Sequence, residues 1–92
     1  MILMDHIVKR HGHRERFDER KVYASCYAAF LSCHLSHEQS EKLCEKVAKE
    51  VTAWIKGKKE VNSSQIFQEV VRVMKKYHKD AAFMYETHRD VA

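Results

Sequence analysis

Lys9, Arg10, Arg14, Arg16 and Lys21 crowd one short stretch of this 92-residue chain, and their setting points to anion chemistry. The first four flank a turn signal at His11-Gly12, and Lys21 follows Asp18, a residue type that starts helices. A lysine in the first turn of a helix is unusual, because that end carries partial positive charge and favours carboxylates. A cation there is best tolerated when an anion shares the site. Helix N–H groups, Lys21 and the neighbouring cations together make a corner suited to phosphate. The plain alternative is a solvated basic face, and charge by itself does not separate the two.

Other chemistries find less support. His6, His11 and His13 gather near the turn, but no cysteine or acidic residue stands where it would complete a zinc set. They read as solvent-exposed turn histidines, and no metal site is expected. Cys26, Cys33 and Cys44 are an odd number without a C-x-x-C pair, and read as reduced thiols on buried helix faces. There is no Ser-His-Asp or Cys-His signature, and two glycines leave no room for a phosphate-binding loop of the G-x-x-x-x-G-K type. The expectation is that the chain is not an enzyme.

Composition sets the class. With 45% hydrophobic and 33% charged residues the chain reads as one ordinary soluble domain spanning residues 1–92. It has no apolar run of the length a bilayer needs and no signal-peptide pattern, which implies a cytoplasmic setting with no membrane partner. A net charge of +4 suits an anionic partner, whether DNA, RNA, lipid or nucleotide. The absence of proline favours long helices over an all-β fold.

The elements that must hold the basic corner follow from periodicity. Residues 6–18, with β-branched Ile7 and Val8 before a turn at Gly12, read as a small antiparallel hairpin, which must lie on an apolar surface to be stable. Asp18 starts a first helix with Val22, Cys26 and Phe30 interleaved with Tyr23, Tyr27 and Leu31, ending near Cys33–Leu35. Ser36 and Gln39 form a capping box for a second helix whose stripe is Leu43, Cys44, Val47, Ala48, Val51, Trp54 and Ile55, stopped by Gly57. Residues 60–62 suffice for one more short strand. Asn62 or Ser63 caps a third helix with Ile66, Phe67, Val70, Val71, Met74 and Tyr77 inward. Asp80 is expected to open a fourth helix carrying Ala81, Met84, Tyr85 and His88. The aromatic residues, Phe83 included, mostly fall on helix stripes and read as core; Phe17 stands apart, beside the basic cluster. The fold class is therefore mainly α (α+β): a four-helix bundle capped by a small two- or three-stranded sheet built on the N-terminal hairpin.

These residues also resemble a known family. Ile7-Val8-Lys9-Arg10-His11-Gly12, then Glu15-Arg16-Phe17-Asp18 and Lys21-Val22, look like the opening signature of the ATP-cone domain. The resemblance continues through Val61-Asn62-Ser63-Ser64-Gln65-Ile66 to Tyr85 and Arg89, covering about residues 5–90. It implies a helical bundle with a small sheet and binding of ATP or dATP between the sheet and the helix ends. By matching position, Lys9 and Arg10 would contact phosphates, and Lys21 phosphate or ribose. Glu15 and Asp18 would accept from the adenine amino group, and Ile7, Phe17, Val22 and Ile66 would form the slot for the ring. Ser63 would face the ligand from a helix N-terminus, and Mg2+ would arrive with the triphosphate. His11 departs from the usual Asp or Asn of the turn. Phe67 stands where some members carry a polar residue, and a basic residue that some supply beyond Arg89 is absent.

ATP cones regulate ribonucleotide reductase large subunits and form the sensing part of a repressor of reductase genes. The zinc ribbon of the repressor and the catalytic barrel of the reductase are both missing here, so the expectation is a free-standing cone. Its function would be that of a regulatory ATP/dATP-binding module. Occupancy would be coupled to homo-oligomer formation or to a regulated partner, reductase-like or transcriptional. The alternatives are a small basic nucleic-acid-binding protein, or a degenerate cone acting only as a protein-interaction domain. Interspersed acids and the lack of an exposed aromatic platform argue against direct nucleic-acid binding, and an ATP-hydrolysing enzyme would lack a water-positioning residue.

Overall fold

The firmest local instructions in the chain sit at two helix starts. Ser36 Oγ accepts the Gln39 amide at 3.1 Å while the Gln39 side chain takes the Ser36 amide at 3.1 Å. Asn62 and Gln65 repeat the exchange at 2.8 and 2.9 Å. Each pair satisfies two amides that a helix start otherwise leaves to water. The computed structural model describes the backbone of residues 7–10 and 13–87 and the side chains of residues 17–87. The expected turn at His11-Gly12, together with His6, His88 and Arg89, lies outside the described residues.

The chain runs β1 (Ile7–Arg10), β2 (His13–Arg16), α1 (Glu19–Ser32), α2 (His37–Lys56), β3 (Glu60–Asn62), α3 (Ser63–Tyr77) and α4 (Lys79–Thr87). It is mainly helical. The strands lie in the order β2-β1-β3. β1 is antiparallel to β2, with Ile7 opposite Arg16 and Lys9 opposite Arg14. β1 is parallel to β3, with Val8 beside Val61 and Lys9 beside Asn62. A parallel partner cannot be reached by a tight turn, so β2, α1 and α2 together form the connection that carries the chain from β1 to β3.

Helix α1 packs on α2 and α4, and α3 packs on the same two helices. Their shared centre is fully buried: Cys26 and Phe30 from α1, Val47, Val51 and Ile55 from α2, Val70, Val73 and Met74 from α3. Phe17, Val22 and Val61 extend this core toward the sheet. Leu43, Trp54, Ile66, Tyr77 and Tyr85 are half-buried around it.

Four expectations change. The fourth helix begins at Lys79, not Asp80, because His78 Nδ1 accepts the Ala81 amide at 3.1 Å and so caps the helix itself. Phe83 is 63% exposed rather than core. The short α4 buries only Ala81 and Ala82, and these small side chains let it approach its neighbours while Phe83, one residue on, is turned to solvent. Cys33 is half-buried, whereas Cys26 and Cys44 are fully buried, and all three are free thiols. Burial pushes both buried thiols up, Cys44 to about 12. Finally, Glu69 and Val73 are buried, outside the expected stripe of α3, because that helix is covered by both α2 and α4. The Glu69 carboxylate keeps its charge compensated by Arg72, whose Nη2 lies 2.5 Å away.

Candidate functional site

The corner between sheet and helix starts is set by one shared residue. Asn62 ends β3, stands beside Lys9 of β1, and is also the N-cap of α3. Adjacent strands run about 4.8 Å apart, so the backbone of the basic strand and the first turn of α3 are neighbours. Both β1 and β3 contact α3. The order of the chain then brings Arg10 and Ser63 next to this pair. Across the other edge of β1, Arg14 lies opposite Lys9, Glu15 opposite Val8, and Arg16 opposite Ile7. Ile7, Lys9, Arg10 and Glu15 are thus fixed by strand position; their side chains are outside the described residues.

Phe17 and Asp18 connect β2 to α1. Asp18 is the N-cap of α1, accepting the Arg20 amide at 3.0 Å and Arg20 Nε at 3.2 Å. The Arg20 hydrogen bond holds the Asp18 carboxyl below its ordinary value of 3.8, so it stays ionised and acceptor-only. Lys21 is exposed in the same first turn, its amide donating to the Asp18 carbonyl at 3.1 Å. One turn of α1 therefore presents a carboxylate and an ammonium at the strand–helix junction.

The four apolar positions are not equivalent. Phe17 and Val22 are only 4% and 6% exposed, enclosed in the core. Ile66, half-buried on the second turn of α3, packs against that same core. Phe67, the departure noted in the sequence, stacks on Tyr85 with ring centroids 5.3 Å apart, so it serves packing between α3 and α4. Backbone register thus sets Lys9 beside Asn62, with Glu15 across the other edge of β1, while Phe17, Asp18, Lys21 and Val22 lie together at the start of α1.

The sequence offers residues 60–62 as a strand and Asn62 as a cap; what nothing local announces is that this strand runs parallel to β1 and sets Asn62 beside Lys9. Among the described residues, no group of three or more histidine, cysteine or acidic side chains gathers to hold a metal ion. No described helix is long and apolar enough to cross a membrane.

The described architecture is a small helical domain with a basic strand laid beside a helix start. The chain matches the ATP cone domain family over residues 5–90, and it belongs to that family. ATP cones are regulatory, nucleotide-sensing domains rather than catalytic ones. No solved structure matches the chain.

Proposed function

We propose that this chain is a regulatory adenine-nucleotide sensor, a single domain over residues 1–92 that binds ATP or dATP at the sheet–helix corner. Occupancy is converted into self-association or docking on a partner protein. The observation that carries this reading is the register of β1. Lys9 stands directly opposite Arg14 and beside Asn62, at the partially positive start of α3. Like charges opposite one another destabilise a strand pair, and a helix N-terminus adds to the same positive potential. A polyphosphate offsets both.

In this reading Lys9 and Arg10 take the phosphates, Lys21 takes phosphate or ribose, and the Ser63 hydroxyl donates to a phosphate oxygen. Glu15 and Asp18 accept from the adenine amino group, and Ile7, Phe17, Val22 and Ile66 receive the ring. Because Phe17 and Val22 are enclosed in the core, a ring that reaches them must part the junction between β2 and α1. That requirement supplies what a sensor needs, a ligand with different affinity for two arrangements of the chain. Magnesium enters with the triphosphate and is held mainly by phosphate oxygens and water, as is usual for that ion. The setting is cytoplasmic, and the regulated system is a ribonucleotide reductase or the control of its genes.

Calorimetric titration with ATP, dATP, GTP and CTP, followed by light scattering with and without the adenine nucleotides, tests the reading. Heat with ATP or dATP but not CTP, and a change in mass on binding, are expected. No heat with either adenine nucleotide at millimolar concentration removes it.

A further inference from the structure

At the far end of the bundle from the sheet, the α1–α2 turn, the first half of α2 and the α3–α4 junction line an open groove of about 520 Å³. Helices α1 and α3, of 14 and 15 residues, separate it from the nucleotide corner by about 20 Å. Its floor includes Leu35 and Leu43, and Lys42, Lys46, His34 and His78 border it.

The polar groups bordering the groove are arranged as donors. The Gln39 side-chain oxygen is occupied by the Ser36 amide, so the amide nitrogen is what Gln39 can offer. His78 Nδ1 accepts the Ala81 amide, which leaves Nε2 as its protonated, donating nitrogen. The ring is also held edge-on against Phe30, with centroids 6.3 Å apart, so this donor is fixed in place. Lys46 lies over the Tyr77 ring at 5.8 Å, and Lys42 meets Glu38 at 3.7 Å. The Lys42–Glu38 pair is solvent-exposed on both sides, and such pairs are worth little enough for another carboxylate to displace. Among the described residues, none of those lining the groove is acidic.

His34, at a φ of 68° just beyond the end of α1, also borders the groove.

We infer that this groove is a docking site for an acidic peptide segment of a partner protein, with leucine-like side chains on Leu35 and Leu43 and carboxylates on the lysines and His78. An enclosed pocket would suit a small molecule; this groove is open to solvent, with leucines and cationic side chains in its lining, which suits a peptide segment. Charge complementarity selects the acidic partner. The site does not depend on the nucleotide reading.

A fluorescein-labelled peptide in which glutamates flank two leucines is the probe, read by anisotropy with the full chain. Binding is expected, weakened about tenfold or more in the Lys42→Glu/Lys46→Glu variant, and equally by replacing the peptide's glutamates with glutamines or its leucines with serines. The milder Lys42→Gln/Lys46→Gln variant repeats the measurement should the charge reversal perturb folding, which circular dichroism reports. Absence of binding at millimolar peptide overturns the assignment. So does binding indifferent to the lysine variants or to either peptide change, and so does a DNA duplex that binds more tightly through the same lysines.

Discussion

Replacing Asn62 by alanine tests the link between fold and corner most directly. The Asn62 Oδ1 bond to the Gln65 amide, 2.8 Å long, disappears, while the return bond from the Asn62 amide to Gln65 survives. Loss of such an N-cap costs about 1 kcal/mol, within a range of roughly 0.5–2. For a domain of this size that lowers the melting temperature by about 4–8 °C. Ser36→Ala is the matched control. It breaks the equivalent bond at the start of α2, from Ser36 Oγ to the Gln39 amide at 3.1 Å, and should cost a similar amount. The two variants part company in nucleotide binding. Asn62 also stands beside Lys9, so fraying the first turn of α3 withdraws dipole stabilisation of about 0.3–1 kcal/mol from a bound phosphate. Urea denaturation and ATP calorimetry, at a temperature where both variants are folded, should show equal stability losses. ATP affinity should fall about two- to fivefold in Asn62→Ala alone. Equal ATP affinities in the two variants, or an Asn62→Ala protein as stable as the parent, would refute the reasoning.

Phe30 is fully buried at the meeting of α1, α2 and α4, so Phe30→Ala should cost about 3–5 kcal/mol in chemical denaturation; a loss under about 1 kcal/mol would mean that the core is not where it is described. Hydrogen bonds from Lys76 and Tyr77 hold the Glu50 carboxyl below its ordinary value of 4.5, so the unfolded chain binds the extra proton first. The stability from that clamp is full above about pH 4.5 and is lost as pH falls through the lower folded value; melting curves of Glu50→Gln should be flatter over that acid range than those of the parent. At mildly alkaline pH, a thiol reagent should modify Cys33 rapidly and Cys26 and Cys44 only on unfolding, since burial raises both of their thiols; Cys33→Ser should abolish the fast phase, and a second fast thiol would contradict the burial.

Helices α2 and α3 were readable in the sequence because each announces its start twice, by a capping box and by an apolar stripe. What escaped reading was tertiary. Ser40 and Thr52 are buried polar residues on α2, inside a stretch whose periodicity marks only its aliphatic face. Glu69 looks solvent-facing until α2 and α4 close over α3, and its partner Arg72 lies on its own helix, so no long-range signal announces the burial. Phe83 looks like core because hydrophobicity carries no direction, and only the shortness of α4 decides which face is covered. At the corner, the cationic residue types of the proposed anion site stand in the sequence as Lys9, Arg10 and Lys21. The pairing of Lys9 with Asn62 was not, since it joins positions more than fifty residues apart.

That distant pairing bears on the order of assembly. The contacts of β1 with β2, and of α1 with α2, form between neighbours in sequence and need little chain closure. The third strand finds its place only after the entire α1–α2 excursion has doubled back, since β3 joins β1 in the same direction. Non-local closure of this kind is slow because a large loop must be tied before any contact rewards it. The seal beside Lys9 is therefore among the last parts of the molecule to set, and a nascent chain leaves the edge of β1 open until β3 and α3 have emerged and docked.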